Sequence, residues 1–423
     1  MSPAFAIVLV TLAGAPLFVI FGAIALSAFH SAGIDSAAVV IEMNRMTSAP
    51  ILAAIPMFTF AGYLMAESKT PERLVKLTKA LFGWMPGGLA LVTLAACAFF
   101  TAFTGASGVT IIALGGLLYP ILTKEGYDEK YSLGLVTTCG SLGLLFPPSL
   151  PIILYGLVSG VSIDQLFIAG ILPGILLMLI LGTHAIRAGV KSKAPRTPFS
   201  FRELLSAFKG AFWELPLPVI ILVGIYGGYV TAGEAAAVTA FYIFVVEVFI
   251  YRDLSLTRDI PRIAKESMVL VGSILVILAV AMGFTSYLID EQVPNKIFEF
   301  IQGYVDNKWM FLIALNIFLL IVGCLMDIFS AIIVVVPLIL PIAKQFNVDP
   351  LHLAIIFLTN LEIGYLTPPV GINLFISSIR FKKNVTYLYK IALPFLALLI
   401  AALLVITYWP DLSLYLVRYF GVR

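Results

Sequence analysis

The sequence predicts an all-α polytopic membrane protein built from two inverted repeats, each with a re-entrant helical hairpin and a broken transmembrane helix. Three observations predict it. First, 61% of the 423 residues are hydrophobic and 12% charged, against about a quarter charged in soluble domains, and apolar runs of roughly 18 or more residues recur from end to end. Second, shifted by 221 positions the chain aligns with itself without a gap: Pro120 with Pro341, Asp128 with Asp349, Thr138 with Thr359, Gly143 with Gly364, Leu145 with Leu366, and Pro147-Pro148 with Pro368-Pro369. Third, positive charge gathers in three loops. This composition excludes a water-soluble enzyme, a disordered protein and a nucleic-acid binder. The net charge of +3 is too small to suggest a polyanionic partner.

From the N-terminus, Ala4 to Phe29 is too long for a signal-peptide core and has no basic region before it, so it reads as a retained first helix. Crossings follow at about 49–66, 130–160, 163–186, 214–231, 234–250, 266–289, 351–378 and 386–408. Loop charge orients them. Segment 187–209 holds Arg187, Lys191, Lys193, Arg196, Arg202 and Lys209 against Glu203 alone, and belongs in the cytoplasm by the positive-inside bias. Loops 251–265 and 380–390 are basic in the same way, whereas 290–308, with Asp290, Glu291, Glu299 and Asp306 against Lys296 and Lys308, suits the outside. The count places the N-terminus in the cytoplasm and the C-terminus outside.

Under the 221 shift, 49–66 maps onto 266–289 and 130–160 onto 351–378, each pair running in opposite directions. The unpaired helix at 214–231 inverts the second half. Three units result: a first repeat (1–186), a cytoplasmic linker with the extra helix (187–231) and a second repeat (232–423). Two repeat-related segments, about 87–123 and 309–344, are each either two full crossings or a hairpin that turns back inside the membrane. Their turns, 104–108 and 325–330, are short and carry no charge apart from Asp327, which favours hairpins, the first entering from the cytoplasm and the second from outside. Residues 67–80, with Arg73, Lys76 and Lys79, read as a helix lying along the cytoplasmic interface, and 290–304 has a similar amphipathic look.

The chemistry concentrates at the breaks. A double proline removes two backbone donors, and each ring clashes with the carbonyl one turn earlier. Broken backbone is tolerated at that depth only where it is buried in protein or lines a polar cavity. Freed carbonyls suit a small hard cation, and half-helix N-termini favour an anion. Two cation sites follow, with an anion site between them. The first combines the turn from Thr104 to Ser107 with Gly143, Phe146 and Ser149. The second combines the turn from Gly323 to Asp327 with Gly364, Thr367 and Val370. Sodium fits both, because the donors are hydroxyl and carbonyl oxygens rather than thiolate or imidazole ligands. Cys97, Cys139 and Cys324 have no C-x-x-C spacing, and His30, His184 and His352 are scattered, so neither disulfides, a metal cluster nor an enzyme centre is expected.

Thr104, Ser107, Asp327, Thr359 and Asn373 are the expected substrate contacts, Asn373 either lining the half-helix beyond the second break or capping it. Asp327 and Glu362 are the carboxylates deepest in the apolar segments. An ionisable group there is expensive and a functional candidate by default. Asp327 is assigned to ion or substrate, and Glu362 either to function or to ordering the broken helix by accepting backbone N–H groups. Glu234 and Glu247, near helix ends, are read as interfacial.

Phe103-Thr104-Gly105-Ala106-Ser107-Gly108, Gly143-Leu144-Leu145-Phe146-Pro147-Pro148-Ser149, and 361–373 with Glu362, Gly364, Thr367-Pro368-Pro369 and Asn373 together resemble the large membrane subunit of tripartite ATP-independent periplasmic (TRAP) transporters over essentially the whole chain. The resemblance implies an elevator-type secondary transporter of the bacterial inner membrane, embedded in lipid, in which a domain bearing both hairpins and both broken helices moves against a scaffold. It implies symport with two or more sodium ions of an organic acid anion, carboxylate or sulfonate, with C4-dicarboxylates among the candidates. It also implies two partners: a small four-helix membrane subunit and a periplasmic substrate-binding protein. A sodium/dicarboxylate-type symporter working without a binding protein is the alternative. Ala106 departs from the serine that many relatives carry beside Ser107.

Overall fold

The computed structural model describes residues 7, 9, 11, 13–35, 37–47, 50–192, 198–305 and 307–421. Ala4, Lys193, Arg196, Asp306 and the start of the crossing at 49 therefore lie outside the described residues. Every regular element among the described residues is helical.

The first half runs α1 (Leu17–Ser31), α2 (Ala37–Thr47), α3 (Ala54–Glu67), α4 (Thr70–Phe82), α5 (Gly88–Thr104), α6 (Ser107–Lys124), α7 (Glu129–Cys139), α8 (Leu150–Ser159) and α9 (Ile163–Ser192). Next come α10 (Phe201–Gly210), α11 (Pro216–Tyr226) and α12 (Ala232–Ile250). The second half runs α13 (Asp259–Asp290), α14 (Val293–Gln302), α15 (Lys308–Leu325), α16 (Ile328–Gln345), α17 (Pro350–Gly364), α18 (Ile372–Phe381), α19 (Val385–Tyr408) and α20 (Asp411–Phe420). Among the described residues, seven helices are long and apolar enough to cross a membrane, and α7 with α8 forms a further span bent by 45°.

The repeat is present in three dimensions. Moved by 221, the bounds of α6 coincide with those of α16, and α5, α7, α8 and α9 fall on α15, α17, α18 and α19. The caps repeat too. Asp128 accepts from the backbone N–H groups of Lys130 and Tyr131, and Asp349 accepts from those of Leu351 and His352, satisfying helix-start donors that have no intrahelical partner. α5 with α6, and α15 with α16, form tight hairpins, and α17 is buried on every side from His352 to Gly364, as an all-round apolar helix must be.

Three elements differ from the sequence reading. α13 starts at Asp259, drawing part of the basic loop 251–265 into helix, because Arg262 pairs with Glu266 one turn on (3.4 Å) and with Glu67 (2.6 Å). α2 and α20 are additional helices that no apolar run of membrane length announces. Glu247, read as interfacial, is buried within the protein, as is Glu214, and both meet Arg73 of α4. The Arg73 guanidinium lies 2.6 Å from Glu214, 3.0 Å from Glu247 and 2.5 Å from Asp253, over the Tyr251 ring. Burial pulls its pKa down, and these carboxylates more than offset that and hold it above the ordinary arginine value. The cluster thus fastens the amphipathic α4 to the far end of α12 and the start of α11. Glu234, by contrast, is an exposed helix-end residue, completing a capping box with Thr231.

Candidate substrate and cation site

Both hairpin tips reach the same place. A cavity of about 270 Å³ is lined by Ala106 and Ser107 from the first tip, Asp327 and Ser330 from the second, Tyr365 from the second break, and Ser273 from α13. Two hairpins of an inverted repeat approach from opposite ends, so their shared cavity places both turns inside the bundle.

At the first tip, α5 ends on Gly105, whose φ of 63° is a left-handed conformation that glycine adopts without strain. A Cβ there would fall 2.6 Å from the Leu150 side chain, so the tip sits directly on the start of α8. The first break comprises a turn over Leu142–Leu145, the cis Pro147-Pro148 bond, and then α8 with proline in its first turn. Gly143 lies against α5, the incoming leg of the hairpin, where a Cβ would meet the Ala98 carbonyl oxygen at 2.3 Å and the Ala102 nitrogen at 2.5 Å. Thr101 ties the hairpin together, its hydroxyl 2.7 Å from that of Thr110 and 3.0 Å from the Gly140 carbonyl. Thr104 and Ser149 are both buried, and neither hydroxyl has a hydrogen-bond partner. Phe146 packs its ring on Gly174, and its backbone carbonyl, the ligand expected of it, accepts from the Ser149 N–H at 3.1 Å.

The second tip is built alike. Gly364 is pressed against Gly323, a Cβ on the former falling 2.5 Å from the latter's carbonyl carbon. The Gly371 N–H donates to the Cys324 carbonyl (3.0 Å) and the Ile328 N–H to the Tyr365 hydroxyl (2.6 Å), stitching the break to the turn. Asp327 caps α16: one carboxylate oxygen accepts from the Phe329 and Ser330 N–H groups at 3.0 Å each, the other from the Ser330 hydroxyl at 2.5 Å. Thr367 returns its hydroxyl to the Ile363 carbonyl (3.1 Å), and Val370 is half-buried beside it.

The structure thus brings Thr104, Ser107, Gly143 and Ser149 together at one tip, and Gly323, Asp327, Gly364, Thr367 and Val370 at the other. Thr359 does not reach the cavity: it is fully buried and donates to the Ile355 carbonyl of its own helix (2.7 Å). Asn373 is buried too, its amide nitrogen 3.4 Å from both the Thr137 carbonyl and the Ser141 hydroxyl, so it joins the two broken helices. Thr137 reinforces that junction with a hydroxyl bond to Ser377 (2.9 Å). Glu362 accepts no backbone N–H, and both its oxygens are buried without a partner, so it does not order the broken helix in the way expected. Ser273 and Ser330 are cavity residues that sequence reasoning missed. They lie outside the glycine-proline motifs, and only the repeat-related position of Ser330 at a hairpin tip signals it.

The two breaks are not equally covered. Pro147 and Pro148 are buried, whereas Pro368 and Pro369 are exposed. Among the described residues no group of three or more His, Cys, Asp or Glu side chains is placed to hold a metal. An ion here would be held by hydroxyl and carbonyl oxygen, a donor set suited to hard cations. The unpartnered hydroxyls of Thr104 and Ser149 fit that role.

A family model described as tripartite ATP-independent periplasmic transporter, DctM component, matches residues 4–412. The chain belongs to this family. It is 39% identical over 372 residues to the C4-dicarboxylate TRAP transporter large permease protein DctM of Pseudomonas aeruginosa, covering 88% of this chain and 87% of that one. It is 36% identical over 407 residues to the isethionate TRAP transporter permease protein DctMQ of Oleidesulfovibrio alaskensis, covering 95% of this chain and 64% of that longer one. It is also 33% identical over 370 residues to the ectoine/5-hydroxyectoine TRAP transporter large permease protein UehC of Ruegeria pomeroyi (86% and 85% covered). Among solved structures, the Alcanivorax borkumensis YdaH transporter, described as having an unusual topology, superposes with a TM-score of 0.58 at 11% identity over 88% of this chain and 86% of that one, which shows a shared fold. The chain is accordingly a multi-span permease subunit of a TRAP transporter, not an enzyme.

Proposed function

We propose that this permease carries an organic acid anion, carboxylate or sulfonate, across the bacterial inner membrane by sodium-coupled symport, taking its substrate from a periplasmic binding protein and working with a small membrane subunit. The observation that carries the reading is the convergence of both hairpin tips and a broken helix on one cavity. The N-termini of α6 and α16 open there, and helix starts attract anions. The Asp327 carboxylate at the same cavity repels an anion, so loading it calls for positive charge close by. Sodium beside Thr104 and Ser149 in one repeat, and beside Gly323 and Gly364 in the other, supplies that charge. Relatives named for C4-dicarboxylate and for isethionate support an organic acid anion as the substrate.

Each sodium ion moving inward gains about 2.3 kcal/mol per 100 mV. A dianion travelling with two of them cancels that electrical gain and leaves the sodium gradient as the driving force. The unequal cover of the two breaks fits alternating access: the exposed Pro368-Pro369 and buried Pro147-Pro148 are the two environments that inverted repeats exchange as an elevator domain moves. Reconstitution into proteoliposomes with the cognate binding protein and a panel of organic acids tests the reading. Uptake is expected only with sodium outside and binding protein present; uptake indifferent to both would refute it.

A further inference from the structure

A second cavity, of about 520 Å³, opens where α7 begins and α9 ends, beside α19. Its wall is aromatic. Tyr131, His184 and Phe395 pack with ring centroids 5.2–5.7 Å apart, His184 meeting Phe395 edge-on. Lys130 and Lys390 stand at its rim, both exposed and neither in an ion pair among the described residues. No acidic residue lines it. The adjacent acid, Glu129, is already held by Lys383 (2.5 Å) and Tyr119 (3.1 Å), and Asp128 is committed to capping α7. Tyr131 contributes its ring to the wall, and its phenol oxygen is buried, closed off from the cavity. On its other side the cavity continues along α19 through Ile391 and Pro394, next to an exposed Leu393 on an apolar 24-residue span.

Two free cations beside an aromatic wall and an apolar helix face specify a ligand that is anionic at one end and apolar at the other. A free anion would leave the apolar flank unused, and a neutral lipid would leave the lysines without a counter-charge. We propose that this cavity seats the phosphate headgroup of an anionic phospholipid: Lys130 and Lys390 neutralise the phosphate, the Tyr131, His184 and Phe395 rings wall the headgroup, and an acyl chain lies along α19. Basic pockets between membrane helices bind anionic headgroups by this combination of local charge and proximity to hydrocarbon. The site lies apart from the transport cavity, on helices that carry the first and second repeats alike.

The purified full chain, titrated in detergent with phosphatidylglycerol or phosphatidylcholine and read by native mass spectrometry, tests this. Wild-type protein is expected to retain phosphatidylglycerol preferentially, and the Lys130→Gln/Lys390→Gln double variant to lose roughly tenfold or more in that retention. Lys296→Gln/Lys344→Gln, which removes two exposed lysines on α14 and α16, is the control and should leave it unchanged. Tyr131→Phe, which keeps the aromatic wall and removes only a buried hydroxyl, should leave retention unchanged. Unchanged retention in the Lys130/Lys390 variant, or an equal loss in the control, overturns the proposal. So does displacement of the lipid by inorganic phosphate with no preference for phosphatidylglycerol over phosphatidylcholine, which would mark a free-anion site.

Discussion

Gly364→Ala adds a methyl group where two backbones touch. The new Cβ would lie 2.5 Å from the carbonyl carbon of Gly323, 2.6 Å from its Cα and 3.0 Å from the Cys324 nitrogen. All three are main-chain atoms, so no side chain can rotate away. Restoring an ordinary carbon contact requires the tip of the second hairpin to retreat by about 1 Å, at a cost of about 1–3 kcal/mol for overpacking. The retreating segment includes the Cys324 carbonyl that accepts from Gly371 and leads into the Asp327 cap, so the proposed cation and substrate positions move with it. Gly143→Ala does the same in the first repeat, against the Ala98 oxygen at 2.3 Å and the Ala102 nitrogen at 2.5 Å. Gly182→Ala is the matched control, its Cβ meeting only the Leu91 side chain at an ordinary 3.5 Å. Thermal unfolding with and without sodium, together with uptake in proteoliposomes, reads the result. Both tip variants should unfold earlier and lose most sodium-driven uptake while the control behaves as wild type. Wild-type stability and uptake in Gly364→Ala would refute the close-packed tip as the basis of the site.

Asp327→Ala removes the acceptor of two backbone N–H groups and a hydroxyl; a lost cap costs about 0.5–2 kcal/mol, so the protein should still fold but fail to transport, and normal uptake would remove Asp327 from the site. Thr104→Val and Ser149→Ala each delete a buried hydroxyl that has no hydrogen-bond partner, which without sodium should be neutral or stabilising. Both should reduce the stabilisation that sodium confers, and unchanged sodium titrations would show that neither hydroxyl is a ligand. Arg73→Ala leaves Glu214 and Glu247 buried without their cation, and breaking such a cluster costs about 3–5 kcal/mol; thermal unfolding close to wild type would show that α4 is anchored in some other way.

The pattern of the fold was legible wherever it rests on local sequence. The 221 offset, the double prolines and the turn glycines each impose a backbone consequence by themselves, and the caps at Asp128 and Asp349 repeat because helix starts need acceptors. The Arg73 cluster was not legible, because its members are separated by up to 180 positions and no periodicity links them. Glu247 lies near a helix end, and its burial depends on a guanidinium 174 positions away that no local pattern shows. Thr359 shows how the repeat misleads as well as guides. It aligns with Thr138, and the two share a structural habit: Thr138 donates to the Gly134 carbonyl (2.8 Å) as Thr359 does to that of Ile355 (2.7 Å). The shared threonine satisfies its hydroxyl within its own helix. The cavity contributions of Ser273 and Ser330 depend on how α13 and the second tip meet, which no local pattern encodes.

The central claim is that a sodium gradient drives an organic anion through the cavity where the two hairpin tips meet. Its most direct test is uptake of a labelled organic acid into proteoliposomes holding the permease with its small subunit, with the binding protein outside and the sodium gradient imposed or collapsed at fixed membrane potential. Accumulation above the external concentration that vanishes when sodium is equal on both sides is the predicted result; accumulation that persists without a sodium gradient would contradict it.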